Sequence, residues 1–166
     1  MKRQKLLRLV SEMLKNSKKS DRELAGILGV SQPTVSRTRA RIEKEYIKTY
    51  TIIPDFEKLG YRIMAFTLAK KAHLGSEEAA EMVKKSKEWV NQHPNIIFGS
   101  EGEGLGKDLM LISFHKNYSV YAEFMRSFAM NTGTSLNNFE SFLVSVESGN
   151  KLREFNLKYL ADDLQG

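Results

Sequence analysis

The sequence predicts an α+β protein in two parts, a helical N-terminal unit followed by a β-α-β-β-α-β unit. Three observations carry this. Apolar residues recur at three- and four-residue spacings up to about residue 45 and give way to alternating, β-branched runs after it. Helix starts and stops are marked by Ser20, Gly29 and Ser31. The charge is also divided. Residues 1–54 hold 13 Lys or Arg against 5 Asp or Glu, whereas residues 55–166 hold 13 against 15.

The first helix is expected over residues 5–15, where Leu6, Leu9, Val10, Met13 and Leu14 make one apolar stripe. A polar break follows, Asn16 to Ser20. A second helix starts near Asp21, with Ser20 as N-cap and Glu23 as its capping-box partner. Leu24, Ala25, Ile27 and Leu28 form its buried side, and Gly29 stops it. A third runs from Ser31 to about Glu45, with Pro33 tolerated in the first turn. Val35, Ile42 and Tyr46 point toward the core. The run Tyr46 to Ile53 is β-branched and aromatic and reads as a strand that Pro54 closes.

In the second part, Tyr61–Ala69, Ile96–Ser100, Leu109–Phe114 and Phe142–Val146 read as strands. Ser76–Gln92 and Tyr118–Met130 read as helices, the first with Ala79, Ala80, Val83 and Trp89 among its apolar positions. The second turns Val120, Tyr121, Phe124, Met125 and Phe128 inward. This order folds as a split βαβ, ferredoxin-like sandwich. The tail Lys151–Leu164 is amphipathic, with Leu152, Phe155, Tyr159 and Leu160 on one side. The expected domains are therefore 1–54 and 55–166, the tail belonging to the second.

Two helices joined by a tight turn must approach closely. Ala25 permits the approach, Gly29 makes the turn, and Leu24, Leu28, Val30, Val35 and Ile42 fill the contact. This is a helix-turn-helix pattern with a basic second helix, as major-groove recognition requires. An ordinary helical hairpin is the plainer alternative, but it has no need of so many arginines. No acidic residue occurs from Ser31 to Ile42. On a helical wheel Pro33, Arg37 and Ala40 face outward, flanked by Thr34, Ser36 and Arg41. Arg39 falls near the apolar flank and reads as a snorkelling or ion-paired arginine. Arg37 is the leading base-contact candidate, because its fork matches the acceptors of guanine. Gln32, Thr34 and Ser36 could read base edges or hold phosphates. Lys2, Arg3, Lys18, Lys19 and Lys48 read as phosphate contacts or solvated charges. The expected DNA-binding set is Gln32, Pro33, Thr34, Ser36, Arg37, Ala40, Arg41 and Lys48.

Several classes are disfavoured. There is no cysteine, so neither a disulfide framework nor a Cys-based zinc site is expected. No run approaches the ~18 apolar residues of a membrane span. Arg8, Glu12 and Lys15 interrupt what would be a signal-peptide core. A cytoplasmic, non-enzymatic protein without cofactor or metal is the expectation. His73, His93 and His115 lack ligand spacing and read as surface or strand-end residues. The glycines 102, 104 and 106 match neither a dinucleotide fingerprint nor a Walker loop, and a hairpin tip is the plain reading.

The sequence resembles the leucine-responsive regulator/AsnC (Lrp/AsnC) family of transcription factors. The resemblance rests on Asp21-Arg22-Glu23-Leu24-Ala25, Leu28-Gly29-Val30-Ser31, Thr34-Val35-Ser36-Arg37 and Arg41-Ile42-Glu43. It continues through Tyr46-Ile47-Lys48-Thr49-Tyr50-Thr51 and Phe56-Glu57-Lys58-Leu59-Gly60. It implies a winged helix-turn-helix joined to a ligand-sensing and assembly domain. It also implies a homodimer or higher oligomer on a pseudo-palindromic duplex site, modulated by a small molecule such as an amino acid. The strand near Tyr50–Ile53 would pair across the dimer, and the second-domain sheets would pack face to face. The effector would lie near the loop Gly99–Asp108, with Gly104, Gly106 and Asp108 as its residues. The family's pattern has a glycine three residues before that aspartate, where Leu105 stands here. Two alternatives share this architecture: a siroheme-decarboxylase-like enzyme, and a protein that coats DNA with little sequence preference.

Overall fold

The computed structural model describes residues 3–72, 76–132, 136–147, 149 and 151–164. The expectations for Lys2, for His73 and for the side chain of Ala79 lie outside the described residues. The chain divides into two compact units, Met1–Ile53 with Leu152–Gly166, and Pro54–Lys151.

The first unit holds α1 (Arg3–Lys15), α2 (Asp21–Leu28) and α3 (Gln32–Glu45). Leu6, Leu9, Met13, Leu24, Ala25, Leu28, Val35 and Ile42 form one buried cluster. The capping box at α2 is complete. The Glu23 N–H donates to Ser20 Oγ at 3.2 Å, and the Ser20 N–H donates to Glu23 Oε2 at 2.7 Å. Those contacts to Ser20 also hold the Glu23 carboxyl below its usual pKa. Gly29 ends α2 in the left-handed region, φ 63°, where a Cβ would be strained. Ser31 stands at the N-cap of α3 but makes no side-chain cap bond, and its hydroxyl pairs with that of Thr34 at 2.8 Å instead.

Four expectations for this unit are corrected. Ile27 is exposed, because α2 is short and buries only Leu24, Ala25 and Leu28. Tyr46 is exposed, since it caps α3 at φ −124° and leaves the helical wheel. The run Tyr46–Ile53 is not a strand. A strand needs a ladder partner, and no described residue pairs with it. The Tyr50 hydroxyl donates to Glu43 instead. The tail joins this unit rather than the second. A 3₁₀ turn at Leu157–Tyr159 leads into α6 (Leu160–Asp163). The fully buried Ser11 hydroxyl donates to the Ala161 carbonyl at 2.7 Å, and Lys15 pairs with Asp162 at 3.3 Å. The small Ala161 is the buried residue there, while Leu152, Phe155 and Leu160 stay exposed.

The second unit follows β1 (Ile63–Lys71), α4 (Ser76–Gln92), β2 (Ile96–Gly104), β3 (Lys107–His115), α5 (Tyr118–Thr132) and β4 (Leu136–Ser145). The sheet order is β2-β3-β1-β4 with antiparallel neighbours, the ferredoxin-like topology that the element order predicts. One side of β1 presents Ala65, Thr67 and Ala69, small enough to admit the helices. Ala69, Met82, Trp89, Leu111, Phe124, Phe128 and Leu136 make the core. On the other side a row of apolar residues crosses all four strands: Phe98 pairs with Ile112, Ile112 with Phe66, and Phe66 with Phe142. Phe98 and Phe142 are 47% and 73% exposed, so this face is uncovered.

Within this unit β4 starts at Leu136, well before the expected Phe142, because its first residues pair with the end of β1 beyond a bulge at Leu68/Lys70. Val120 is exposed in the first turn of α5, and Ala80 is exposed on α4, where Met82 and Trp89 are the buried residues. His115 is a strand-end residue, the last of β3, but it is buried rather than on the surface. Its Nε2 is 2.8 Å from Ser113 Oγ and its ring contacts Tyr121 and Phe124 edge-on. Burial pushes its pKa down to about 4. Among the described residues, no helix is long and apolar enough to cross a membrane.

Candidate nucleic-acid interface

The outer face of α3 is built by what its inner face buries. Val35 and Ile42 are 1% and 0% exposed, which fixes the rotation of the helix. Gln32, Pro33, Ser36, Arg37, Ala40 and Arg41 are consequently exposed, and Lys48 is exposed beyond the helix end. Thr34 is half-buried, its hydroxyl engaged with Ser31 and its carbonyl accepting from Thr38 Oγ1 at 2.7 Å. Seven of the eight candidate residues are thus free to meet a groove, and the eighth braces the helix start.

Two arginines on α3 have opposite roles. Arg39 Nη1 lies 2.6 Å from Asp21 Oδ1, and Nη2 donates to the carbonyls of Ser17 and Lys19 at 3.3 and 3.0 Å. It fastens α3 to the start of α2, as its place on the apolar flank predicts. The Arg37 Nε donates to the Pro33 carbonyl at 3.3 Å, which aligns the side chain along the helix toward its N-terminus. No carboxylate pairs with Arg37 among the described residues. Arg41 is steadied by Glu45, with Nε 3.8 Å from Oε2. No acidic residue stands in the first turn of α3, so the positive end of the helix dipole is uncompensated and suits phosphate. Lys19 is not a spare cation: it pairs with Glu12, which holds that carboxyl below its usual pKa.

The expected effector residues stand at the end of one hairpin. The run 99–108 is no ten-residue loop. Its residues are mostly ladder, and Gly104 pairs with Lys107 across a two-residue turn. Leu105 and Gly106 have φ 52° and 68°, both left-handed, which is the hairpin geometry that matches strand twist. Gly104 lines a hollow of about 310 Å³ with Leu68, Phe98 and Met110. Asp108 lines an adjoining one of about 540 Å³ with Lys70 and Lys71, and the two hollows share Glu101, Gly102 and Glu103. The Asp108 carboxylate accepts the Lys71 N–H at 2.9 Å, so it holds the end of β1. Composition alone gave no signal for Lys107, which is buried and donates to the Asn138 carbonyl at 2.7 Å and to Glu140 at 2.9 Å.

Comparison with known proteins agrees with this architecture. No family model matches the chain. It is 31% identical over 99 residues to an HTH-type transcriptional regulator of Pyrococcus abyssi, covering 55% of this chain and 66% of the relative. It is 35% identical over 79 residues to the HTH-type transcriptional regulator FL11 of Pyrococcus furiosus, covering 46% and 52%. The chain thus spans just under two thirds, or about half, of the curated relatives it matches. Among solved structures, a Neisseria meningitidis transcriptional regulator in complex with L-Met superposes with a TM-score of 0.78 at 13% identity, covering 94% of each chain. An AsnC family transcriptional regulator from Agrobacterium tumefaciens gives 0.74 at 19% identity, over 96% and 99%.

Proposed function

We propose that this chain, which has the fold of the AsnC family transcriptional regulators and shares sequence with HTH-type regulators, is itself a sequence-specific duplex-DNA-binding regulator that works as a homodimer. The observation that carries the reading is the sorting of α3. Its apolar face and Arg39 are consumed by packing, while Gln32, Pro33, Ser36, Arg37, Ala40 and Arg41 are left exposed on a helix with no acid in its first turn.

In this reading α3 enters the major groove with its N-terminal half against the bases. Arg37 donates its two terminal nitrogens to O6 and N7 of a guanine, a bidentate contact that no other base offers. Gln32 and Ser36 read neighbouring edges, the methyl of Ala40 packs on a base, and Arg41 and Lys48 hold phosphates. Phosphate contacts orient the helix and base contacts select the sequence. Two features support a homodimer. The row Phe98–Ile112–Phe66–Phe142 leaves an apolar sheet face open to a second copy, and the segment 48–53, which makes no backbone–backbone hydrogen bond among the described residues, leaves its backbone available for pairing. A dimer presents two recognition helices to successive major grooves about 34 Å apart, so a pseudo-palindromic site follows. The likeness to a regulator solved with L-Met supports small-molecule control, and a binding site on the second unit is the place to seek it.

The test is fluorescence anisotropy with a selected duplex and a random one across a salt series. The selected site should be preferred by ~10³ or more, and Arg37→Ala should remove most of that preference. Equal binding of both duplexes with a steep salt slope would instead favour a DNA-coating protein. No DNA binding, with a colour change on adding a tetrapyrrole, would favour the enzyme.

A further inference from the structure

On the helix side of the sheet, a cleft of about 620 Å³ opens between α4 and the edge strand β2. Its origin is local. Gly99 pairs with Leu111 in the sheet register and stands on the helix side, where the Leu111 side chain lies against it and β2 adds no side chain of its own. Leu111, Leu136 and Met82 are buried at the bottom of the cleft, and its half-buried apolar surface is Leu109 with Val83 and Val90 of α4. The rim is polar: Lys71, Ser86, Lys87 and Asn91 border it. Lys71 is neutralised by Glu101 at 2.7 Å. Lys87 has no carboxylate partner among the described residues. The cleft shares Met82, Ser86, Val90, Leu109, Leu111 and Leu136 with a recess of about 50 Å³ that Trp89 and Phe128 also line. The buried indole N–H of Trp89 has no acceptor among the described residues.

From this we infer that the α4/β2 cleft binds a small apolar carboxylic acid, with its hydrocarbon body on Leu109, Val83 and Val90 and its carboxylate at Lys87. The chemistry selects this class. The apolar floor rewards a hydrocarbon body, and burying it drives binding. A cation that lacks a partner at the rim adds charge complementarity that an alcohol or an amine would not meet. The volume of about 620 Å³ falls within the roughly 300–1,000 Å³ usual for small-molecule sites. The site lies apart from the turn at Leu105–Gly106, and it involves neither Gly104, Gly106 nor Asp108. It deepens the effector part of the function proposed above, but binding is measured without DNA, so the two readings fail separately.

Trp89 is the only tryptophan in the chain and is a built-in reporter. Sodium octanoate titrated into the full chain should change its fluorescence saturably, and 1-octanol should bind at least ten-fold more weakly. Lys87→Gln should weaken octanoate about ten-fold and leave octanol unchanged. Gly99→Val is the blocking variant. An added Cβ would stand 2.9 Å from the Leu111 side chain and drive it into the cleft, while valine suits a strand. This variant should fold, by circular dichroism, and lose octanoate binding. Should octanoate give no saturable signal, or bind Gly99→Val and wild type alike, the cleft is not the site. If octanoate binds as expected but leaves DNA affinity unchanged, the site stands and the effector role falls.

Discussion

The two units bury their apolar surface by different means. The N-terminal unit closes its three helices over one cluster and leaves the polar, basic face of α3 outside, with single apolar residues such as Ile27 and Leu152 exposed elsewhere. The second unit packs α4 and α5 on one side of its sheet and leaves Phe98, Ile112, Phe66 and Phe142 in line on the other. One exposes charge, as a surface that meets a polyanion does, and the other exposes hydrocarbon, as a surface that meets its own copy does. In the proposed function, specificity and assembly are therefore carried by separate parts of the chain.

The largest expected effect comes from breaking assembly. Phe66→Glu puts a charge in the middle of the apolar row. Sedimentation velocity should show a dimer for wild type and a monomer for the variant, and anisotropy should show DNA affinity falling at least a hundred-fold. A dimeric variant would refute the sheet-face interface. Next is the contrast within α3. Arg37→Ala should cost about 1–3 kcal/mol of site preference with an unchanged melting temperature. Arg39→Ala should lose a comparable amount of stability, because hydrogen bonds to a charged group contribute about 1.5–3 kcal/mol. If the melting temperatures of the two variants fall equally, the sorting of the two arginines is wrong.

The tail sharpens the comparison, since the N-terminal unit is made from both ends of the chain. Removing residues 152–166 takes from Ser11 its bond to the Ala161 carbonyl, worth about 0.5–1.5 kcal/mol. Denaturant melts should show the helical unit destabilised by at least that amount. The last effect develops only as the pH falls and is confined to the second unit. His115 is neutral when folded, with a pKa near 4, against 6.5 when unfolded. The unfolded chain then binds the extra proton below about pH 6.5. Stability from this group is complete above that pH and falls as the pH drops toward 4, with a slope of one proton per chain. His115→Gln should flatten that slope in urea melts between pH 4 and 7. An unaltered slope would place the titration elsewhere.

The sequence alone specified what depends on near neighbours. The capping pair Ser20 and Glu23, the left-handed Gly29, the three helices and the strand order of the second unit all follow from spacing within a few turns or from the succession of elements. So did the split between Arg37 and Arg39, because a helix fixes direction at each step. Tertiary structure decided what depends on distant partners. Tyr46–Ile53 has strand composition, but composition supplies no ladder, and no strand forms. The run 99–108 reads as a long loop but becomes ladder once β3 lies beside it, which leaves Gly104, Gly106 and Asp108 at a tight hairpin end. His115 and Lys107 are polar letters that only packing could bury. The tail's leucines are apolar, yet the contact that seats it runs through Ala161 and Ser11, 150 residues apart. Local rules act through covalent geometry, which the sequence contains. Pairing and burial depend on which surfaces meet, and that is settled only when the whole chain has folded.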